Sequence, residues 1–277
     1  MEEVLFGDIR DEKIIIQLKK KQFDIVIHLV SLDHHKSEEN PNFVSSINVM
    51  PTWNLLNELT KNNLSKFLYF STFHVYGLTK KKIISEELAL NPLNAYGLTH
   101  VLSEKICNYF NQKTKTKCIN VRLSNAFGSP VFIENNCWTL VINDLCKTAF
   151  LKEKIKLFSD GSPQRDFIHT SDICKSIEYL IESNKNLDEN IFNLAFGKTY
   201  TILELAKIVQ KVFESRYKKK IKIELQKNLV QSKNKNKSRF SIDVTRIKRT
   251  GFKVNKSIEQ GVQEVFNYLE ANQNNFR

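Results

Sequence analysis

Phe70-Ser71-Thr72-Phe73-His74-Val75-Tyr76-Gly77, followed at a distance by Tyr96-Gly97-Leu98-Thr99-His100, decides the fold. Phe67-Leu68-Tyr69-Phe70 reads as a buried strand that ends on hydroxyls. Tyr96 stands near the start of a stretch, from about Ala95 to Phe110, that reads as a helix. Working outward, short apolar runs alternate with longer amphipathic ones. Val4-Leu5-Phe6 reads as the end of a strand, residues 12–21 as a helix, and Asp24-Ile25-Val26-Ile27-His28-Leu29-Val30 as a buried strand. Residues 42–61 predict a helix entered through Asn40-Pro41 and bent locally by Pro51. Cys118-Ile119-Asn120-Val121-Arg122-Leu123 predicts a further strand. Continuous apolar strands separated by helices predict a parallel sheet covered on both faces, so the fold class is α/β. Beyond Ser124 the rhythm loosens: helices are predicted at 137–151, 171–183, 202–217 and 257–272, and short strands near 155–158, 191–195 and 221–225. No internal repeat appears.

Composition bounds the function classes. The chain has 277 residues, enough for one large α/β domain or a domain with a smaller lobe. No apolar run approaches the ~20 residues that span a bilayer. The acidic start, Glu2 and Glu3, lacks the basic-then-apolar pattern of a secretory signal. The five cysteines (Cys107, Cys118, Cys137, Cys146, Cys174) are odd in number and form no CxxC pair. That argues against a disulfide framework and a zinc site, so no metal is expected, and it fits a reducing cytoplasm. The net charge is +12, and segment 218–239 holds nine basic residues against one acid, Glu224. No aromatic stacking residue is interleaved through 226–239, so a solvated surface loop is the preferred reading over a nucleic-acid contact. Within it, Ser232–Lys237 is the single low-complexity stretch.

The Thr72 and Tyr96 segments resemble the extended short-chain dehydrogenases, in the form of the NAD-dependent epimerase/dehydratase family. Further matches follow the family order. Gly7-Asp8-Ile9-Arg10-Asp11 is similar to the segment after the third strand. His28-Leu29-Val30-Ser31, Glu39-Asn40-Pro41 and Ile47-Asn48-Val49 are similar to the family run HxAA…ENP…xNV. Arg122–Gly128 resembles RxxNxxG, and Arg165-Asp166-Phe167-Ile168-His169-Thr170-Ser171-Asp172 resembles RDFxHVxD. Phe192–Leu205 and the tail from Asp243 through Gly261 complete the series.

The resemblance implies a Rossmann-like, doubly wound sheet over residues 1–125. A smaller α/β substrate lobe would cover 126–277, with the segment near 171–195 returning to the first domain. It implies an NAD cofactor, with NADP not excluded, and a nucleotide-diphosphate sugar as substrate. Asp8 and Ile9 would hold the adenine ring. Leu29, Val30 and Ser31 would lie against the cofactor, and Asn48 near the nicotinamide ribose, although Asn48 also reads as a helix-buried amide. Thr72 would bond the sugar oxygen, and Tyr96 would be the general base. Asn125 and Arg165 would reach the substrate, a planar guanidinium suiting phosphate oxygens. Asp172 reads as the N-cap of the following helix.

Two departures qualify this picture. The family pattern YxxxK places lysine where His100 stands; that lysine lowers the tyrosine pKa from its usual ~10 and binds the ribose. His100, on the same helix face, reads either as a conditional cation or as a neutral surface or core ring. The eight glycines, at 7, 77, 97, 128, 161, 197, 251 and 261, form no GxGxxG. The sheet is therefore expected to lack its central first strand, which would expose apolar neighbours and remove most of the pyrophosphate site. Phe73-His74 replaces the Asp-Glu pair of 4,6-dehydratases, which favours a 4-epimerase or keto-reductase. The alternative is an impaired or non-catalytic relative that binds a sugar nucleotide or a homologous subunit. Relatives often pair helices, including the tyrosine helix, so a homodimer is expected.

Overall fold

The computed structural model describes residues 3–135, 137–182, 188–225 and 239–276. From the start of the chain the elements are α1 (Glu12–Lys19), β1 (Ile25–His28), α2 (Pro41–Asn48), α3 (Met50–Leu59), β2 (Lys66–Thr72), β3 (Ile83–Ile84), α4 (Ala95–Lys113) and β4 (Lys117–Leu123). Then come β5 (Asn125–Phe127), α5 (Val141–Lys152), β6 (Lys154–Leu157), β7 (Gln164–His169), α6 (Thr170–Glu182) and β8 (Ile191–Leu194). The last are β9 (Thr199–Thr201), α7 (Ile202–Tyr217), β10 (Lys222–Leu225), β11 (Ser241–Ile242), α8 (Thr245–Arg249) and α9 (Ile258–Ala271).

The chain divides into two compact units. The first contains Met1–Lys80, Ser85–Leu123 and Ile181–Asn193; the second contains Lys81–Ile84, Ser124–Leu180 and Leu194–Arg277. The returning segment is thus shorter than the 171–195 expected, because α6 stays with the second unit as far as Leu180.

In the first unit the strands lie in the order β1-β2-β4-β8. The pairs β1/β2 and β2/β4 are parallel, with Lys66 opposite Ile25 on one side and Lys117 on the other. Successive residues Phe67, Leu68 and Tyr69 are each 1% exposed or less, so both faces of β2 are covered. Leu55, Leu56 and Leu59 of α3 and Ile106, Cys107 and Phe110 of α4 pack with Phe67, Tyr69 and Cys118. Each such fully buried large apolar side chain contributes ~1.5–3 kcal/mol.

Two expectations fail here. Val4-Leu5-Phe6 is not a strand: Val4 and Phe6 are exposed, and among the described residues no strand pairs with them. An isolated extended run has no ladder to hold it. The helix read over 42–61 is two helices broken at Val49, with Pro51 in the first turn of α3. Proline carries no N–H, so it starts a helix there more cheaply than it continues one.

In the second unit, β5 and β7 pair in parallel and β7 and β9 antiparallel, while β6/β10 and β3/β11 form two short parallel pairs. Helices α5, α7 and α9 close a core around Phe127, Phe167, Leu205, Val209, Val262 and Phe266. Capping boxes start α7 (Thr201, Glu204) and α9 (Ser257, Gln260), satisfying N–H groups that lack an intrahelical partner. Asp172 is not an N-cap. Helix α6 begins at Thr170, and the buried Asp172 carboxylate accepts from the Asn255 (3.2 Å) and Lys256 (2.9 Å) amides, pinning the chain before α9. Most of the basic tract, residues 226–238, lies outside the described residues, the low-complexity stretch included.

Candidate active site

The site is assembled in the first unit, where β2 ends and α4 begins. The Asn94 side chain caps α4 by accepting from the Gly97 amide at 2.8 Å, and the Glu38 carboxylate accepts from the Ala95 amide at 2.7 Å. These satisfy two of the N–H groups a helix start leaves open. Gly97 is required by the packing: a Cβ there would lie 2.8 Å from the His74 carbonyl oxygen. The turn 73–76 therefore sits directly on the start of α4. Thr72, 6% exposed, accepts from the His74 amide at 3.3 Å. Its side chain also neighbours Tyr96. Burial pushes the Tyr96 phenol above its ordinary pKa, the nearby Thr72 hydroxyl pulls the other way, and the Asp33 charge adds to the rise.

His100 lies one turn further along α4 and is 2% exposed. Its Nδ1 is 2.8 Å from the Tyr69 hydroxyl, and its Nε2 is 3.1 Å from Ser31 Oγ. Burial first, then the charges of His74 and His28, push its pKa down to about 3. The structure places His100 in the interior, and that burial disfavours a charged ring. Tyr96 stands edge-on against it, with centroids 4.6 Å apart, and His74 approaches Tyr96 from another side at 5.5 Å. Contacts between rings continue outward through His34 to His35, and inward through Tyr69 to His28. Five of the six histidines thus line one column of rings through the Tyr96 position.

The remaining expected residues fall in different places. Asn48 is fully buried; its Oδ1 accepts from the Leu32 amide at 2.8 Å and its Nδ2 donates to Thr99 at 3.0 Å. Its amide is spent joining the loop after β1 to α4, which is the buried-amide reading. Leu29 and Val30 are exposed (64% and 40%), forming an apolar shelf next to Ser31. Asp8 is gripped by the Arg10 guanidinium, which lowers its pKa to about 2; both side chains are exposed. Ile9 is half-buried against the α1–α3 core. Asn125 and Arg165 belong to the second unit: Asn125 donates to the Asp166 carbonyl at 2.8 Å, and Arg165 is exposed on β7.

The sequence reading missed one network entirely. Glu104 of α4 accepts from Arg122 of β4 through both of its oxygens, at 2.7 and 3.0 Å, and from Ser71 at 2.5 Å. Arg122 also donates to Tyr76, whose hydroxyl donates to Asn193 at 2.6 Å. Ser71 directly precedes Thr72, so this network fixes α4 against the end of β2. The signal was available: Glu104 lies eight residues after Tyr96, on the same helix face as His100.

The sequence model described as the NAD dependent epimerase/dehydratase family matches residues 2–195. The chain belongs to this family. A UDP-glucose 4-epimerase of Mycoplasma genitalium is 30% identical over 269 residues, covering 88% of this chain and 78% of that protein. Among solved structures, the UDP-glucose 4-epimerase of Thermotoga maritima with UDP-glucose superposes with a TM-score of 0.80 at 20% identity, covering 96% of this chain and 84% of that one. The UDP-glucuronic acid 4-epimerase of Bacillus cereus, with UDP-glucuronic acid and NAD, gives 0.77 at 21% identity, covering 96% and 80%. The superpositions establish a Rossmann-like α/β fold for this family member. Among the described residues no helix is long and apolar enough to cross a membrane.

The residues present fit the nicotinamide end of NAD. Leu29 and Val30 follow β1 at its carboxyl end and expose apolar side chains next to Ser31, which contacts His100. At the adenine end, the Asp8 carboxylate is already occupied by Arg10.

Proposed function

We propose that this chain is an NAD-dependent nucleotide-sugar epimerase acting at a sugar hydroxyl. The observation that carries the reading is the placement of the buried Thr72 at the end of β2 beside Tyr96 at the start of α4. Leu29 and Val30 would hold the nicotinamide face, and bound NAD supplies a hydride acceptor there. In this reading Thr72 orients the sugar hydroxyl, and Tyr96 takes its proton once ionised. A UDP-sugar is the favoured substrate, since the solved relatives named above are bound to UDP-sugars. Phe73 and His74 disfavour a 4,6-dehydratase, because neither supplies the carboxylate pair that water loss requires. Asn125 and Arg165 are proposed as substrate contacts in the lobe formed by the second unit. The exposed Trp53 of α3 and the exposed Leu98, Leu102 and Tyr109 of α4 are consistent with pairing to a second copy, and the free cysteines with a reducing cytoplasm.

A second reading has its own observations: His100 is buried, which disfavours its cationic form, and Asp8 is held by Arg10. Both would suit a relative that binds a sugar nucleotide without turning it over. Calorimetric titration with NAD⁺, followed by UDP-sugar turnover, separates the two. The epimerase reading expects saturable NAD⁺ binding and turnover that falls at least ~100-fold in Tyr96→Phe. Unchanged turnover in that variant rejects Tyr96 as the base, and a folded chain that binds UDP-sugar without turnover favours the second reading.

A further inference from the structure

The first turn of α4 is held partly from a distance. Asn94 accepts from the Gly97 amide at 2.8 Å within the turn itself, whereas Glu38 accepts from the Ala95 amide at 2.7 Å across a separation of 57 residues. Tyr96 stands between these two amides. Gly97 rests on the His74 carbonyl oxygen, so the backbone on that side has no room to slide. Glu38 is itself fixed. It closes a single turn, Lys36–Glu38, ahead of which the Asp33 carboxylate accepts from the His35 and Lys36 amides at 2.9 and 3.0 Å. Within that turn Ser37 is 2% exposed, donates to the Asp33 carbonyl at 2.8 Å and accepts from Asn48 Nδ2 at 3.4 Å. The loop from Ser31 to Glu38 is thereby joined to α4 at three points: Ser31 to His100, Leu32 through Asn48 to Thr99, and Glu38 to Ala95.

We propose that Glu38 is a positioning residue for Tyr96: it carries a carboxylate from the loop after β1 to the first amide of α4, and so sets where the phenol stands beside Thr72. The proposal rests on the reading of Tyr96 as the base. A carboxylate bonded to a helix amide is charge-assisted and is favoured by the helix dipole, which makes it a firm support for the residue that follows. The same loop begins directly after Leu29 and Val30, the residues proposed to hold the nicotinamide. Cofactor seating and placement of the base therefore share one support. Glu38 acts through the backbone, by its acceptor oxygen, and a neutral amide oxygen at the same place can take the same N–H.

The test compares Glu38→Ala and Glu38→Gln in the full chain. With NAD⁺ present, Glu38→Ala should lose roughly tenfold in kcat while KM for the UDP-sugar moves by less than about twofold, because a displaced base slows the chemical step. Glu38→Gln should recover the rate to within about threefold of wild type, since its side-chain carbonyl accepts from the Ala95 amide. A readout without cofactor stands beside it: carbon-13 NMR of the tyrosine-labelled chain, with the Tyr96 signal assigned by Tyr96→Phe. That signal should shift in Glu38→Ala and return in Glu38→Gln. Wild-type kcat in Glu38→Ala overturns the proposal, as does a loss confined to KM, a Tyr96 signal that ignores the substitution, or a glutamine variant as impaired as the alanine one. If Glu38→Ala does not fold, Glu38→Asp, one methylene shorter, takes its place with the same expectation. If the wild-type chain turns over no UDP-sugar, the epimerase reading fails and the Tyr96 signal alone decides the positioning.

Discussion

Glu104 in the first unit and Asp166 in the second are both 2% exposed, yet they are kept in opposite ways. Glu104 faces a cation: Arg122 forks it from β4, and Ser71 adds a third donor. Asp166 faces a hydroxyl and backbone amides instead. Its oxygens accept from Ser124 (2.9 Å) and from the Phe196 and Gly197 amides (2.8 and 2.7 Å). Burial pushes its pKa up to about 6, against those bonds. Two residues that look alike in sequence therefore do different work. The first is half of a buried ion pair that holds the Tyr96 helix to the end of β2. The second gathers loop amides and could shed its charge near neutral pH.

The sharpest way to break this comparison is to remove each acid and read each unit separately. Trp53 reports the first unit and Trp138 the second, and they are the two tryptophans of the chain, so single-tryptophan variants give each unit its own unfolding curve. Glu104→Ala strands the buried Arg122 guanidinium. The expected loss is ~3–5 kcal/mol in urea unfolding followed through Trp53. A loss below 1 kcal/mol would mean that Arg122 finds another partner and that the pair is not the anchor. Asp166→Asn keeps one acceptor and strands no charge. The expected loss is ~1–3 kcal/mol, read through Trp138. A loss as large as that of Glu104→Ala would erase the distinction between the two carboxylates.

The smallest expected effect is a difference in pH dependence. His28 and His100 are 3% and 2% exposed, with folded pKa values of about 4 and about 3. Unfolded, each binds a proton near pH ~6.5, so the unfolded state takes up more protons below that value. Their stabilisation is complete above pH ~6.5 and is lost as the pH falls, by ~1.4 kcal/mol for each ring at pH ~5.5. In the second unit Asp166 works the other way, gaining as pH falls from about 6 towards the ordinary aspartate range. His169, lowered by burial, opposes it there. The Trp53 midpoint should therefore drop more steeply with acid than the Trp138 midpoint. Equal slopes would place ionisable interior groups evenly between the units.

Much of the first unit was legible in the sequence because its signals are local. The Phe67–Phe70 run can only be a covered strand, and Asn94 three residues before Gly97 marks a helix start. Thr72 and Tyr96 came instead from the resemblance to the family. Glu104 was passed over because a lone acid in a helix usually faces water, and nothing local reveals that Arg122 of β4 reaches it. Asp172 was misread for the same reason: the cap pattern is local, while the Asn255 and Lys256 amides arrive from more than eighty residues away.

The sequence by itself determined the alternation of strands and helices and membership of the epimerase/dehydratase family, because periodicity and short motifs are properties of neighbouring residues. Only the tertiary structure decided the burial of His100, the interior contacts of Asn48 and the hold of Arg122 on Glu104. Each depends on burial and on partners distant in sequence, and burial sets the cost of a charge.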